Sequence, residues 1–364
     1  MIGTRGVPST YGGIERAVEE LSARLVAGGH DVTVYCRTSY TPTRAPSHRG
    51  IRLRYLPAIN TKHLEALSHS VLATLDAIIR RYDIVHFHAL GPSLCAPLAR
   101  LGGLRVVTTV HALDFQREKW GPVARWVLRA GTWTATRTSN RTIVVSRQLR
   151  AYFEREHRRD TVYVPNGVES AEPRSAPVAA LESRCFLFLG RLVPEKGVHT
   201  LIEAYQGLDT NVPLVIAGPA SHSDAYEARL HSLAAGDSRI SFAGAVYDAD
   251  KNALLDRTYA FCQPSTLEGL PIALLEVMSR SICAIVSDIP EHLEVVSTDD
   301  GGRAAIVFRT GDVQSLREAL GNALAHPEQV AACGRAGLQI VEARYSWPDV
   351  ARRVEAVYEE VVSR

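Results

Sequence analysis

The feature that most constrains this chain is an alternation, repeated in both halves, of short apolar runs with stretches of helical periodicity. In the first half the runs are residues 32–36 (VTVYC), 84–87 (IVHF), 106–110 (VVTTV) and 143–145 (IVV). Runs this short and this apolar read as strands covered on both faces. The intervening stretches supply the covering layers: residues 14–26 place Ile14, Ala17, Val18, Leu21 and Leu25 on one helical face. After a polar, proline-containing interruption at 170–177 the pattern resumes with 185–189 (CFLFL), 214–217 (LVIA), 240–242 (ISF), 259–262 (YAFC) and 284–286 (AIV). Strands alternating with helices imply parallel sheets with helices on both faces, so the expected class is α/β with two doubly wound, Rossmann-like domains. The boundaries expected are a first domain at 1–168, a linker at 169–181, a second domain at 182–345 and a last helix at 346–364 packing back across the domains. A length of 364 residues suits two cores.

Other architectures are disfavoured. With 46% hydrophobic and 22% charged residues the composition is that of a globular protein. No stretch approaches the ~20 apolar residues of a membrane span, and the opening MIGTRGVPSTYGG has no apolar run of signal-peptide length. Six scattered cysteines without a CxxC pair suggest reduced thiols and a cytoplasmic location. Only Met1 and Ile2 precede the first glycine-rich loop, so the expectation is either an abbreviated first strand or a chain whose start is missing.

The formal charge of +2 conceals an asymmetry: residues 1–168 hold 24 Lys and Arg against 12 Asp and Glu, the remainder 17 against 27. A basic half suits an anionic partner, and equally suits two differently charged solvated surfaces. Lysine is rare, occurring only at 62, 119, 196 and 251.

In an open α/β sheet, ligands bind beyond the carboxyl ends of the strands, and small, polar and basic residues collect there: Gly3 to Gly6, His111, Ser146, Asn166, Gly190, Arg191, Gly218, Ser265 and Asp288. Two such sheets facing each other would form an interdomain cleft. Residues 190–197 (GRLVPEKG) put Arg191 and Lys196 between a strand and a helix, an arrangement suited to a diphosphate. Residues 264–276 (PSTLEGLPIALLE) follow a strand, with Pro271 opening a helix and the amides of Gly269 and Leu270 just before it, where phosphate is favoured. Glu268 and Glu276, eight residues apart, could each hold sugar hydroxyls, although Glu276 taken alone reads as a surface helix residue. Gly12 and Gly13 open the first helix but lack both GxGxxG spacing and a Walker lysine, which disfavours a dinucleotide oxidoreductase or a P-loop NTPase. His86 and His88 share a strand face without a third ligand and read as structural, not metal-binding.

Together these segments resemble the retaining, metal-independent glycosyltransferases of family GT4, which have the GT-B fold. The matching pieces are Gly12-Gly13, residues 111–114 (HALD), 143–146 (IVVS), 164–168 (VPNGV), GRLVPEKG, and the E-x7-E of 264–276, and they span essentially the whole chain. The opening GTRGVPSTYGGIER, KHLEALSH and REKW look like the bacterial rhamnosyltransferase-like branch of surface polysaccharide assembly. The resemblance implies a nucleotide-diphosphate sugar donor bound by the second domain and an acceptor on the side of the first. Arg191 and Lys196 would neutralise the leaving diphosphate with the amides of Gly13, Gly269 and Leu270. Glu276 would hold the ribose, Glu268 the donor sugar, and His111 would contact that sugar near the reacting carbon. Asn166 and Ser146 would line the cleft, and Val246, within 245–247, would lie against the base, near Phe261 and Pro264. No cofactor, metal or nucleic acid is expected. The family's small-Gly-x-Pro turn after the helix reads here with Ser281 for glycine and Cys283 for proline.

Trp120, Trp126 and Trp133 lie among Arg117, Lys119, Arg125, Arg129 and Arg137. This stretch suits the surface of an anionic membrane, and a lipid-linked acceptor with it, or else tryptophans packed inward with arginines facing water. The alternative function is a non-catalytic nucleotide-sugar-binding partner of a polysaccharide assembly complex. A nucleotide-sugar epimerase is a third reading.

Overall fold

The computed structural model describes residues 1–9, 12–40, 44–61, 64–116, 121–169, 184–220 and 224–363. The chain divides into two compact units, Met1–Gly167 with Trp347–Arg364, and Val168–Ser346. Of the linker expected at 169–181, all but Glu169 lies outside the described residues.

The first unit runs α1 (Gly13–Ala27), β1 (Thr33–Arg37), β2 (Ser47–His48), β3 (Ile51–Leu56), α2 (Glu65–Arg80) and β4 (Ile84–His88). It continues with α3 (Leu90–Ser93), α4 (Ala96–Leu101), β5 (Arg105–Val110), α5 (Pro122–Arg137), β6 (Arg141–Val144), α6 (Arg147–His157) and β7 (Val162–Tyr163). The second unit opens with β8 (Cys185–Leu189), α7 (Val198–Gln206), β9 (Leu214–Ala217), α8 (Asp224–Ala234), β10 (Ile240–Gly244) and α9 (Asp248–Asp256). There follow β11 (Thr258–Gln263), α10 (Ile272–Met278), β12 (Cys283–Ser287), α11 (Pro290–Val296), β13 (Ile306–Phe308), α12 (Val313–Ala325) and α13 (Pro327–Arg344). The last helix, α14 (Trp347–Ser363), belongs to the first unit.

Met1 and Ile2 form an abbreviated strand between β1 and β4. Ile2 N donates to His86 O (2.9 Å), His88 N to Ile2 O (2.8 Å) and Tyr35 N to Met1 O (3.1 Å). Two residues thus join the β1-β3-β2 sheet to the β4-β5-β6-β7 sheet. One face is covered by α1 and α14, where Val18, Leu21 and Leu25 pack with Trp347, Val350 and Val354. Each such side chain contributes roughly 1.5–3 kcal/mol on burial, so α14 is an integral part of this core. On the other face Ala73 and Ala77 of α2, with Cys95, Ala96 and Ala99 around α4, meet Ile2, Val85 and Phe87. Helices α2 to α5 continue this layer, α2 touching α3 and α4, and α5 touching both in turn.

The second unit is a six-stranded parallel sheet in the order β10-β9-β8-β11-β12-β13. The chain moves outward from β8 to β10, then returns to the other side of β8 as β11. Connections on either side of that reversal leave in opposite directions, which opens a crevice at the carboxyl ends of β8 and β11. The core beneath is aromatic and aliphatic, with Phe186, Phe188, Leu201, Tyr205, Ile216 and Ile285 all buried.

Candidate functional site

The crevice between the ends of β8 and β11 receives the two segments with the most site residues. After β8 the chain passes Gly190 and Arg191, makes a 3-10 turn at Pro194–Lys196 and enters α7 through Gly197 at φ 66°. That left-handed conformation suits glycine, and space requires it too: a β-carbon on Gly197 would stand 2.1 Å from the Pro264 carbonyl oxygen. Thr266 N donates to Glu195 O at 2.9 Å, a second tie between the loops after β8 and β11. Lys196 is held by backbone contact where its side chain meets the β11 loop.

There it meets Glu268. One carboxylate oxygen, Oε1, accepts from Lys196 Nζ (2.6 Å), Gln263 Nε2 (2.7 Å) and Ser265 Oγ (2.7 Å). Burial pushes this carboxyl up. The Lys196 ammonium, His292 and the hydrogen bonds from Lys196 and Ser265 outweigh that and hold it at about 2. Burial lowers His292 itself to about 4, so at neutral pH it carries no charge and Lys196 is the counter-ion. Behind them, Ser287 Oγ donates to Ser265 O and lies 3.0 Å from His292 Nδ1, which fixes the loop that presents Ser265. A carboxylate near 2 is a poor general base, but a strong acceptor of hydroxyl hydrogen bonds.

Glu276 lies on α10 and is paired with Lys251 Nζ at 2.5 Å. Sequence reasoning missed Lys251, although the signal was present: with only four lysines in the chain, two answer the two glutamates of one segment. Gly269 and Leu270 are buried directly before α10, whose first helical residue is Ile272, one later than the Pro271 start expected. Val246, half-buried, sits between β10 and α9, next to Tyr247, which caps the helix bearing Lys251. Ser281 keeps the turn after α10, adopting φ 56° in place of glycine.

In the first unit His111 follows β5 and is 7% exposed. Its Nε2 lies 3.3 Å from His88 Nδ1, and the two rings stack. Burial lowers His111 to about 4, so its imidazole is neutral at pH 7. A small cavity of about 20 Å³ is lined by His111, His88, Thr109 and Asn166, among others, which brings Asn166 and His111 together. That volume admits one water molecule. His86 is satisfied by Tyr358 Oη (2.6 Å) and Thr109 Oγ1 (2.7 Å), as a structural histidine would be.

One feature differs from the sequence reading. Ser146, expected in the cleft, is fully buried and caps α6, its Oγ accepting from Leu149 N at 3.2 Å. Beside Gly12, at φ 106°, Glu15 folds back so that its Oε2 stands 2.1 Å from where a β-carbon would lie, while its Oε1 accepts from Arg5 N. The Glu15 carboxylate therefore lies beside Gly12, just before α1. Among the described residues no group of three or more His, Cys, Asp or Glu is arranged to hold a metal ion.

The tryptophans of α5 do not pack inward: Trp126 is 70% and Trp133 55% exposed. Arg125 and Arg129 share their helix, with Arg129 over the Phe115 ring. Trp120 lies outside the described residues.

Comparison with known proteins gives a consistent result. Residues 11–172 match the profile described as Glycosyltransferase Family 4, and residues 171–339 that described as Glycosyl transferases group 1. The chain is 27% identical to a glycogen synthase of Mycobacterium tuberculosis, with 96% of this chain and 92% of that protein covered. It is 28% identical to a GDP-mannose-dependent alpha-(1-6)-phosphatidylinositol monomannoside mannosyltransferase of the same organism, covering 96% and 95%. Its fold is similar to that of a sucrose-phosphate synthase from Thermosynechococcus elongatus, with a TM-score of 0.83 at 19% identity over 100% of this chain and 98% of the other.

Proposed function

The chain is a family 4 glycosyltransferase with the GT-B fold, and from that premise we propose that it moves a sugar from a nucleoside-diphosphate donor to a glycan or lipid-linked saccharide, with retention of configuration and without a metal ion. The observation that carries the reading is the Lys196–Glu268 pair at the crossover of the second unit's sheet.

Cleaving a glycosyl–phosphate bond leaves an oxocarbenium-like sugar and an anionic diphosphate. Fixed positive charge on that diphosphate lowers the barrier. Arg191 and Lys196 supply it, with the Gly269 and Leu270 amides. Glu268, anionic and weakly basic, accepts the donor-sugar hydroxyls, and Glu276 the ribose hydroxyls. The base lies along 245–247. His111, neutral at working pH, contacts the sugar as a hydrogen-bonding group and not as an acid. Retention follows when the acceptor attacks the face that the diphosphate leaves and the departing phosphate oxygen takes its proton. No protein nucleophile is required, in keeping with a Glu268 carboxyl held at about 2.

We assign the enzyme to the bacterial branch of surface polysaccharide assembly, at the cytoplasmic face of a membrane. The support lies in the helical layer of the first unit. Helix α5 carries Arg125, Arg129 and Arg137, no acidic residue, and exposed Val123, Trp126 and Trp133. Leu72, Leu75 and Ile79 on α2 and Leu101 at the end of α4 are exposed as well. Arginine beside exposed tryptophan fits an anionic lipid surface.

The test is a transfer assay with the anomeric configuration of the product read by NMR. Wild type is expected to retain configuration and to be indifferent to EDTA, with Lys196→Ala reduced at least about a hundredfold in kcat/KM while still folded. A folded Lys196→Ala enzyme with full turnover overturns the assignment of Lys196, an inverted product the mechanism.

A further inference from the structure

We propose that Lys251 is a positioning residue for the donor nucleotide: it caps one oxygen of Glu276 and leaves the other for the ribose hydroxyls. The inference rests on the reading above, in which Glu276 meets the ribose.

The observation is a repeated geometry. Glu268 and Glu276 lie on one short segment, and each is met by a lysine at Oε1, Lys196 Nζ on the first and Lys251 Nζ on the second. The other donors to Glu268, Gln263 and Ser265, also choose Oε1. Among the described residues, the hydrogen bonds to these two side chains fall on Oε1, and Oε2 of each is left to a ligand. The pairs are sheltered, with Lys251 and Glu276 at 15% and 18% side-chain exposure, so they are not loose surface ion pairs.

The choice of lysine is informative. Arginine supplies nearly all the positive charge of this chain, yet both glutamates receive lysine. A guanidinium forks onto both oxygens of a carboxylate, whereas an ammonium is a compact point charge that can take one. Lysine is thus the cation that neutralises a carboxylate and leaves it open to a ligand. Neutralisation matters because the ligand is itself anionic and an unpaired carboxylate would repel it. Position agrees: Lys251 stands in the first turn of α9, its N–H donating to Tyr247 O at 3.2 Å, directly after the stretch assigned to the base. The rest of α9 offers Asp248, Asp250 and Asp256 and no other cation.

The experiment measures binding of UDP, GDP, ADP and 5-methyl-UDP, and of their 2′-deoxy counterparts, dTDP among them, by calorimetry to wild type, Lys251→Met and Lys251→Arg, together with donor KM and kcat. The expected result is that wild type prefers the ribonucleotide of its chosen base. Both variants lose about tenfold in ribonucleotide affinity with a matching rise in donor KM, hold kcat within about twofold, and no longer distinguish ribose from deoxyribose. Lys251→Arg failing alongside Lys251→Met is the diagnostic outcome, since it keeps the charge and blocks the second oxygen. Unchanged binding and selectivity in Lys251→Met overturn the proposal, and so does a Lys251→Arg enzyme indistinguishable from wild type. A wild-type protein that binds none of the nucleotides sinks instead the reading on which the proposal rests.

Discussion

Gly197 and Pro264 touch backbone to backbone: a β-carbon on the glycine would come within 2.1 Å of the proline's carbonyl oxygen, and the glycine φ is 66°. The contact aligns the loop carrying Lys196 with the loop leading to Glu268. Gly197→Ala meets both the left-handed penalty and a backbone oxygen that cannot step aside, and is expected to cost about 3 kcal/mol. Denaturant unfolding measures this, and an alanine variant of wild-type stability contradicts it.

Ser281 adopts φ 56° at the turn between α10 and β12. A non-glycine residue there carries a penalty of about 1 kcal/mol that glycine escapes. Ser281→Gly is expected to stabilise the protein by up to that amount, offset in part by the freer unfolded chain. Urea midpoints for the two proteins decide it; a destabilised glycine variant contradicts the expectation.

Much of this was legible in the sequence, for identifiable reasons. The buried strands of both sheets were readable because continuous apolar runs such as 185–189 have few other uses. Ile51–Leu56 was missed because its apolar residues alternate with Arg52 and Arg54, the mark of a half-exposed strand. Ile306–Phe308 and Val162–Tyr163 are too short to give a pattern. Lys196 and Glu268 were found as neighbours of strand ends, but their pairing was not, since it depends on β8 and β11 being adjacent across a crossover that sequence spacing does not reveal. Ser146 was misread because a serine after a strand serves equally as a helix cap or a site residue.

Stability should fall in mild acid. Burial lowers His69, His111 and His292 to about 4, and His86 and His88 well below their ordinary value of 6.5. Protons therefore bind the unfolded chain more readily, so the stability these groups contribute is complete above 6.5 and is lost as the pH drops toward 4. Each contributes up to about 1.4 kcal/mol per pH unit in that window. Glu268 acts in the same direction further down: its carboxyl is held at about 2 against an ordinary 4.5, so its contribution is complete above 4.5 and lost toward 2. Melting temperatures at pH 7.5, 6 and 5 are expected to decline in that order, and a flat or rising series contradicts the assignment of neutral buried histidines.

Trp126 and Trp133 are exposed, so replacing both with serine should alter stability by no more than about 1 kcal/mol. Co-sedimentation with vesicles containing phosphatidylglycerol should nevertheless weaken about tenfold. Equal binding by wild type and the double variant would remove α5 from the membrane surface.

Lys196 is assigned to the diphosphate of a nucleotide donor, and a thermal-shift panel without metal reads that assignment. UDP, GDP, dTDP and ADP are each added to wild type and to Lys196→Ala. At about a hundred times its dissociation constant a ligand stabilises by about 2.7 kcal/mol, readily seen as a raised melting temperature. A shift is expected with one nucleotide, and a much smaller one in the variant. No shift with any nucleotide, or one that Lys196→Ala leaves intact, contradicts it.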